Sequence, residues 1–255
     1  MWRRRRDAIV AALLVLFPGA AAAQGLYVEG GLSWARGDYV YAESTSSGGA
    51  ALGLAWSSRR LTARATLPFF VRDTRLLTVS GTPPSEETEP LPSETGYEGS
   101  VSDPLVQVYA QVFQSRDTGF GVSASVKVPV VEAGPFGTGE WDVSVAASLS
   151  RFVGPRTMIG LDVGYWHLGD MPGLPLDDTV TGTLTVGQAL GRDWTASLSL
   201  SGGQSSIAGF PDPGWAGVLV GRSLSRGMWG LTASVGLSAG APDFTAGLVW
   251  RARID

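Results

Sequence analysis

Over most of the chain the side chains alternate, apolar against small or polar, with a period of two. In 229–238 the odd positions are Trp229, Leu231, Ala233, Val235 and Leu237; the even ones are Gly230, Thr232, Ser234, Gly236 and Ser238. The run 194–201 repeats this, with Trp194, Ala196, Leu198 and Leu200 against Thr195, Ser197, Ser199 and Ser201. So does 120–128, where Phe120, Val122, Ala124, Val126 and Val128 alternate with Gly121, Ser123, Ser125 and Lys127. Successive side chains of a strand point to opposite faces, so each run predicts a strand with one apolar and one small, polar face. Twelve runs are read this way: 26–36, 48–57, 61–71, 104–114, 120–129, 141–152, 157–166, 178–190, 194–203, 215–224, 229–238 and 243–253. The run 215–224 is ambiguous in its facing. Most have about 10 residues, the length a tilted strand needs to cross a bilayer.

The connectors alternate in length. Short ones fall at 58–60, 115–119, 153–156, 191–193 and 225–228, and each contains Arg. Long ones fall at 37–47, 72–103, 130–140, 167–177 and 204–214, with a shorter one at 239–242. Outer-membrane barrels have short periplasmic turns and longer external loops. Twelve strands with both ends periplasmic need five turns and six loops, which is the count obtained. After Gln24 every apolar run is broken within a few residues by Gly, Ser, Thr or a charge, so no segment predicts a spanning helix. Only helices and closed barrels satisfy their backbone inside lipid. The predicted fold is all-β: one antiparallel up-and-down transmembrane β-barrel of about twelve strands, without a domain boundary.

Tryptophan gives a separate test. After residue 23 there are eight, all at or near strand ends. Trp34, Trp141, Trp166 and Trp215 fall on the external side, and Trp56, Trp194, Trp229 and Trp250 on the periplasmic side. Two aromatic girdles are expected where amphipathic rings sit at the two membrane interfaces. A soluble β-sandwich, the competing fold, buries its Trp in mid-strand and does not explain the loop asymmetry.

The N-terminus reads differently. Arg3 to Arg6 form a basic start, 8–17 is an apolar run of ten residues, and Ala20-Ala21-Ala22-Ala23 supplies small residues at A-x-A spacing. This describes a secretory signal over 1–23, cleaved after Ala23, with the barrel domain over 24–255. Removing four Arg and Asp7 leaves 15 basic and 22 acidic residues. That balance argues against a nucleic-acid partner, which needs a basic surface. There is no Cys, which excludes disulfides, thiolate metal sites and a cysteine nucleophile. No cofactor or metal is implied.

One stretch, 121–170, resembles a known group. A strand ends in Lys127-Val128-Pro129, a loop carries Gly137-Thr138-Gly139 ahead of Asp142, and the following strand leads into Val153-Gly154-Pro155. These motifs are similar to those of the outer-membrane barrels grouped as the MetA-pathway of phenol degradation family. The motif match covers about a fifth of the chain. It departs after Pro129, where the family often has Thr-Gly and this chain has Val130-Val131, and it finishes Arg253-Ile254-Asp255 where many barrels finish on an aromatic residue. The resemblance implies an outer-membrane barrel of a Gram-negative bacterium and points to uptake of small solutes, hydrophobic or aromatic ones among them.

With the apolar face toward lipid, the opposite face assigns Glu29, Arg64, Gln107, Tyr109, Gln111, Lys127, Asp142, Asp162 and Arg251 to the lumen. Opposed charges there can orient a solute, as charged rings do in pores. The competing reading is a filled interior, with Arg64, Lys127 and Arg251 paired to Glu29, Asp142 and Asp162. A lipid-modifying enzyme is a further class; its base has to be His167, the single histidine, but no Ser stands in a nucleophile context. Asp170, Asp177 and Asp178 near it lack the ligand spacing of a calcium loop. A third class is an anchor or partner-binding barrel that works through its loops. Loop 72–103 is rich in Glu (Glu86, Glu87, Glu89, Glu94, Glu98) and Pro, which describes a solvated acidic loop or a site for cations bridging to lipopolysaccharide. The partners expected are outer-membrane lipid, lipopolysaccharide, the barrel assembly machinery and a small solute.

Overall fold

The computed structural model describes residues 24–37, 44–73, 96–133, 136–170 and 175–255. The signal-like segment 1–23 and the loop carboxylates Glu86, Glu87, Glu89 and Glu94 lie outside the described residues. The strands are β1 (Gly25–Gly37), β2 (Thr45–Ser57), β3 (Leu61–Asp73), β4 (Tyr97–Val101), β5 (Leu105–Gln114), β6 (Thr118–Lys127) and β7 (Asp142–Val153). They continue with β8 (Thr157–Leu168), β9 (Thr179–Ala189), β10 (Trp194–Gly203), β11 (Gly214–Leu224), β12 (Gly227–Gly236) and β13 (Phe244–Arg253).

Neighbours in sequence pair antiparallel, and β1 pairs with β13 from Tyr27↔Arg253 to Arg36↔Phe244, which closes the ring. β4 and β5 lie end to end against β3, through Phe69↔Val101 and Thr66↔Leu105. They are one interrupted strand, so the described residues form a closed, antiparallel barrel of twelve strands. Within the expected loop 72–103, the last residues are therefore strand: β4 covers 97–101. The interruption is Ser102-Asp103-Pro104. Pro104 has no N–H for the ladder, and the edges are joined by Ser102 N–H donating to Pro68 O at 2.8 Å and Val128 N–H to Pro104 O at 2.9 Å.

The apolar sets face outward. Leu52 and Leu198 are 62% and 63% exposed, whereas Thr66, Ser125 and Ser201 on the inner face are buried. This inversion of a soluble core is what lipid as the outer solvent demands. The ambiguous strand 215–224 resolves here: Val218 and Val220 face out, and Leu219 is buried on the inside. Trp34, Trp56, Trp141, Trp194, Trp229 and Trp250 fall on the outward register. Trp166 and Trp215 do not. On β8 the exposed set is Ile159, Leu161, Val163 and Tyr165, so Trp166 alternates inward, and Trp215 shares the inward register of Leu219. Position near a strand end is not enough for a girdle residue; parity decides which solvent the ring meets.

Candidate functional site

The inner face of the β13–β1–β2–β3–β5 wall carries a ladder of polar contacts. Glu29 on β1 is opposite Arg251 on β13. Arg64 stands two strands from Glu29, on β3, and reaches it across β2. It can do so because the inward residues of β2 at this level are Gly53 and Ala55, with no side chain in the way. Arg64 Nε lies 3.3 Å from Glu29 Oε2, and Arg251 Nε 3.9 Å from Glu29 Oε1. Arg64 Nη1 donates to Gln107 Oε1 at 3.5 Å, and the Arg251 guanidinium lies 3.8 Å from the Tyr27 ring centre. The chain of contacts is therefore Tyr27, Arg251, Glu29, Arg64, Gln107. Arg64 and Arg251 thus both approach the Glu29 carboxylate. A cavity of about 50 Å³ adjoins it, walled by Gly31, Gly49, Ala51 and Phe70. Nearer the loop end Arg72 lies 4.8 Å from the Phe136 ring.

Lys127 and Asp142 belong to a different assembly. Lys127 Nζ is 2.7 Å from Asp142 Oδ2, donates to Thr138 Oγ1, and is 3.9 Å from Asp103 Oδ2. Asp103 accepts the Val130 and Val131 N–H groups on Oδ1 (3.1 and 3.0 Å) and the Thr138 N–H on Oδ2 (3.3 Å). Asp142 Oδ1 accepts the Gly169 N–H at 3.2 Å. The three ionised side chains are 7%, 1% and 2% exposed for Lys127, Asp103 and Asp142. Gly137 and Gly139 have backbone reasons: a Cβ at Gly137 would lie 2.4 Å from Val131 O, and Gly139 has φ +71°. The Lys-x-Pro and Gly-Thr-Gly motifs thus build a buried pin. It fastens 128–133 and 136–141 against the wall where β4 gives way to β5.

The other assigned residues serve the wall itself. Tyr109 lies flat over Gly121, where a Cβ would come 2.2 Å from the hydroxyl, and donates to Gln111 Oε1 at 3.0 Å. Gln111 Nε2 donates to Phe113 O (2.6 Å) and Phe120 O (2.9 Å), spanning the irregular register of β5 with β6 between Gln111 and Phe113. Asp162 accepts from Ser148 Oγ, and among the described residues no cation lies within 4.0 Å of its carboxylate. Across the lumen, β9 to β12 place only Gly, Ser, Thr, Ala and the uncharged Trp215, Leu219 and Met228 inward. The inner wall is split into an ionic side and a hydroxyl side.

His167 sits on the outward register beside Tyr165, at the loop end of β8. Its Nδ1 is 3.0 Å from Asp178 Oδ1, and the Tyr165 hydroxyl donates to the same carboxylate. Asp178 also accepts the Leu168 N–H at 3.2 Å. These bonds, that of Tyr165 first and that of His167 next, hold the Asp178 carboxyl below the ordinary range. Asp170 accepts the Leu176 N–H at 2.8 Å and shapes the same loop.

Asp103, Arg72 and Tyr27 were not among the residues expected. Arg72 and Tyr27 continue the inward parity of Arg64 and Glu29, and that signal was legible. Asp103 gives none, since its hydrogen-bond partners lie 27 to 35 residues away.

No family model matches the chain, and no curated protein matches it in sequence. Solved structures do match. An outer membrane channel from Pseudomonas putida F1 aligns with TM-score 0.71 and 13% identity, over 93% of this chain and 99% of that one. The NanC porin aligns with TM-score 0.54 and 10% identity, over 90% and 100%. The toluene transporter TbuX of Ralstonia pickettii aligns with TM-score 0.50 and 12% identity, over 96% and 94%. At these identities the likeness is one of fold.

Proposed function

We propose that this barrel carries small solutes across the outer membrane of a Gram-negative bacterium, through a lumen that takes a polar or charged edge on one side and a neutral body on the other. The split wall carries the reading. The ladder Arg251–Glu29–Arg64 offers charge-assisted hydrogen bonds, while the hydroxyl side opposite offers contact without charge. Channels, porins and toluene transporters share the fold, and the motif resemblance to the phenol-degradation barrels points the same way, toward hydrophobic or aromatic solutes. Export behind the 1–23 signal, insertion by the barrel assembly machinery, and contact with lipid and lipopolysaccharide complete the proposal.

Burial of the ladder favours a second reading, a barrel closed by its own side chains. Arg64 and Glu29 are 9% and 11% exposed. Planar-bilayer recording of the refolded chain from Gln24 separates the two. Discrete conductance steps that change in R64A support passage. Folded, heat-modifiable protein without steps, in the wild type and in R64A alike, overturns it in favour of the closed barrel.

A further inference from the structure

The turn end of the barrel has an arrangement that solute passage does not use. Every short turn carries Arg, and Arg151 and Arg222 sit on strand ends just above the turns. All of these arginines are exposed, and among the described residues none has a carboxylate within 4.0 Å. The acids at this end are Asp117, Asp193 and Asp255, the last held by Arg253 at 2.8 Å. The loop end is by contrast acidic.

Arg222 differs from the turn arginines in its facing. It follows Val218 and Val220 on the outward register of β11. Its register partners are Trp194 on β10 and Trp229 on β12, and the next residue in that row is Trp250. The guanidinium is 5.6 Å from the Trp194 ring. Trp194 and Trp229 lean over β11 until their rings are 5.7 Å apart at 82°. Trp250 lies flat against the wall because Gly30 has no Cβ; one would come within 2.5 Å of the indole. A cation on the lipid face is costly at mid-depth and nearly free at the interface. Arg222 is three residues from the turn at Ser225, at the depth where Trp rings meet headgroups. A guanidinium held there against the Trp194 indole, on which the Trp229 ring packs, presents its donor fork to a phosphate.

We infer that Trp194, Arg222 and Trp229 form a site for the phosphate of an anionic phospholipid in the leaflet on the turn side. A zwitterionic lipid carries its own amine against the phosphate and leaves the unpaired arginines at this end uncompensated; an anionic one does not. The inference rests on the membrane-barrel reading above.

The test is native mass spectrometry of the chain from Gln24, released from nanodiscs of equimolar phosphatidylglycerol and phosphatidylcholine. The wild type should retain phosphatidylglycerol over phosphatidylcholine by about fivefold, the value of one arginine near an anionic surface. R222Q should bring the ratio close to one. R222K should keep part of the preference, and R116Q, remote from the indoles, should keep all of it. Equal retention in the wild type, or an undiminished preference in R222Q, overturns the site. Failure of the wild type to give a heat-modifiable folded band in any vesicle overturns the membrane reading, and the site with it.

Discussion

Replacing Lys127 by Met should be among the most damaging single changes in this barrel. The methionine fills the same space but leaves Asp103 and Asp142 facing one another, both almost without access to solvent. Removing one partner of a buried ion pair costs about 3–5 kcal/mol, because the remaining charge is uncompensated. Asp103 keeps its three backbone donors, so the lower end of that range, about 3 kcal/mol, is expected. D142N should cost less, about 1–2 kcal/mol. The asparagine can still accept the Gly169 N–H, and Lys127 still has Thr138 and Asp103. The double variant K127M/D142N removes both charges of the close pair, so its cost should fall short of the sum of the two by about 1 kcal/mol or more. Urea titration in lipid vesicles, followed by Trp fluorescence and heat-modifiable mobility, measures all three. A K127M barrel within about 0.5 kcal/mol of wild type, the level of a neutral surface change, refutes the assignment. So does strict additivity in the double variant.

Three further outcomes follow from the facing and the hydrogen bonds. Leu198→Arg, on the lipid side, should destabilise by about 2–4 kcal/mol at mid-depth, while Ser199→Arg on the adjacent inward position should be tolerated better and alter conductance; equal costs in the same titration argue against the facing. Gly121→Ala should displace the Tyr109 ring and cost about 1–3 kcal/mol, as overpacking does, and Y109A in the same chain should recover most of it. Asp178, outside the strands, titrates below its ordinary value, so its bonds to Tyr165, His167 and the Leu168 amide are intact above about pH 4 and are lost as pH falls through the depressed value. The protection factor of the Leu168 amide, its exchange corrected for the intrinsic rate at each pH, should therefore fall only on acidification beyond that point; a fall between neutrality and about pH 5 contradicts the linkage.

Much of the fold was legible because period two is a local signal. Leu198 and Leu200, or Leu231 and Val235, announce their face within a few residues. Leu219 blurred its strand because it is an apolar residue on the inner face, next to Gly217 and Gly221. The interruption at Ser102-Asp103-Pro104 was hidden for the opposite reason. Its cause is a proline, but what makes it stable is Asp103 bonding backbone on the far side of β6, a contact no sequence window contains. The site shows the same division. Parity put Glu29, Arg64 and Arg251 on one face, and the structure brings them together because Gly53 and Ala55 leave the path across β2 open. Parity also grouped Lys127 and Asp142 with them, yet that pair is fixed to Asp103 and Thr138 at a separate place. Charge and facing are written locally; which charges meet depends on the small residues of intervening strands.

For the passage of solutes proposed above, a wall that is ionic along β13, β1 and β3 and hydroxylic along β9 to β12 has a consequence for rates. A molecule touching both sides at once has given up its tumbling and much of its torsional freedom before it reaches the far end. A flat, stiff molecule has little of that freedom to give up; a flexible one of equal mass and charge has a great deal. The distinction between them is entropic, so the ratio of their transit rates should hardly change on warming, whereas discrimination resting on bond strength would fade.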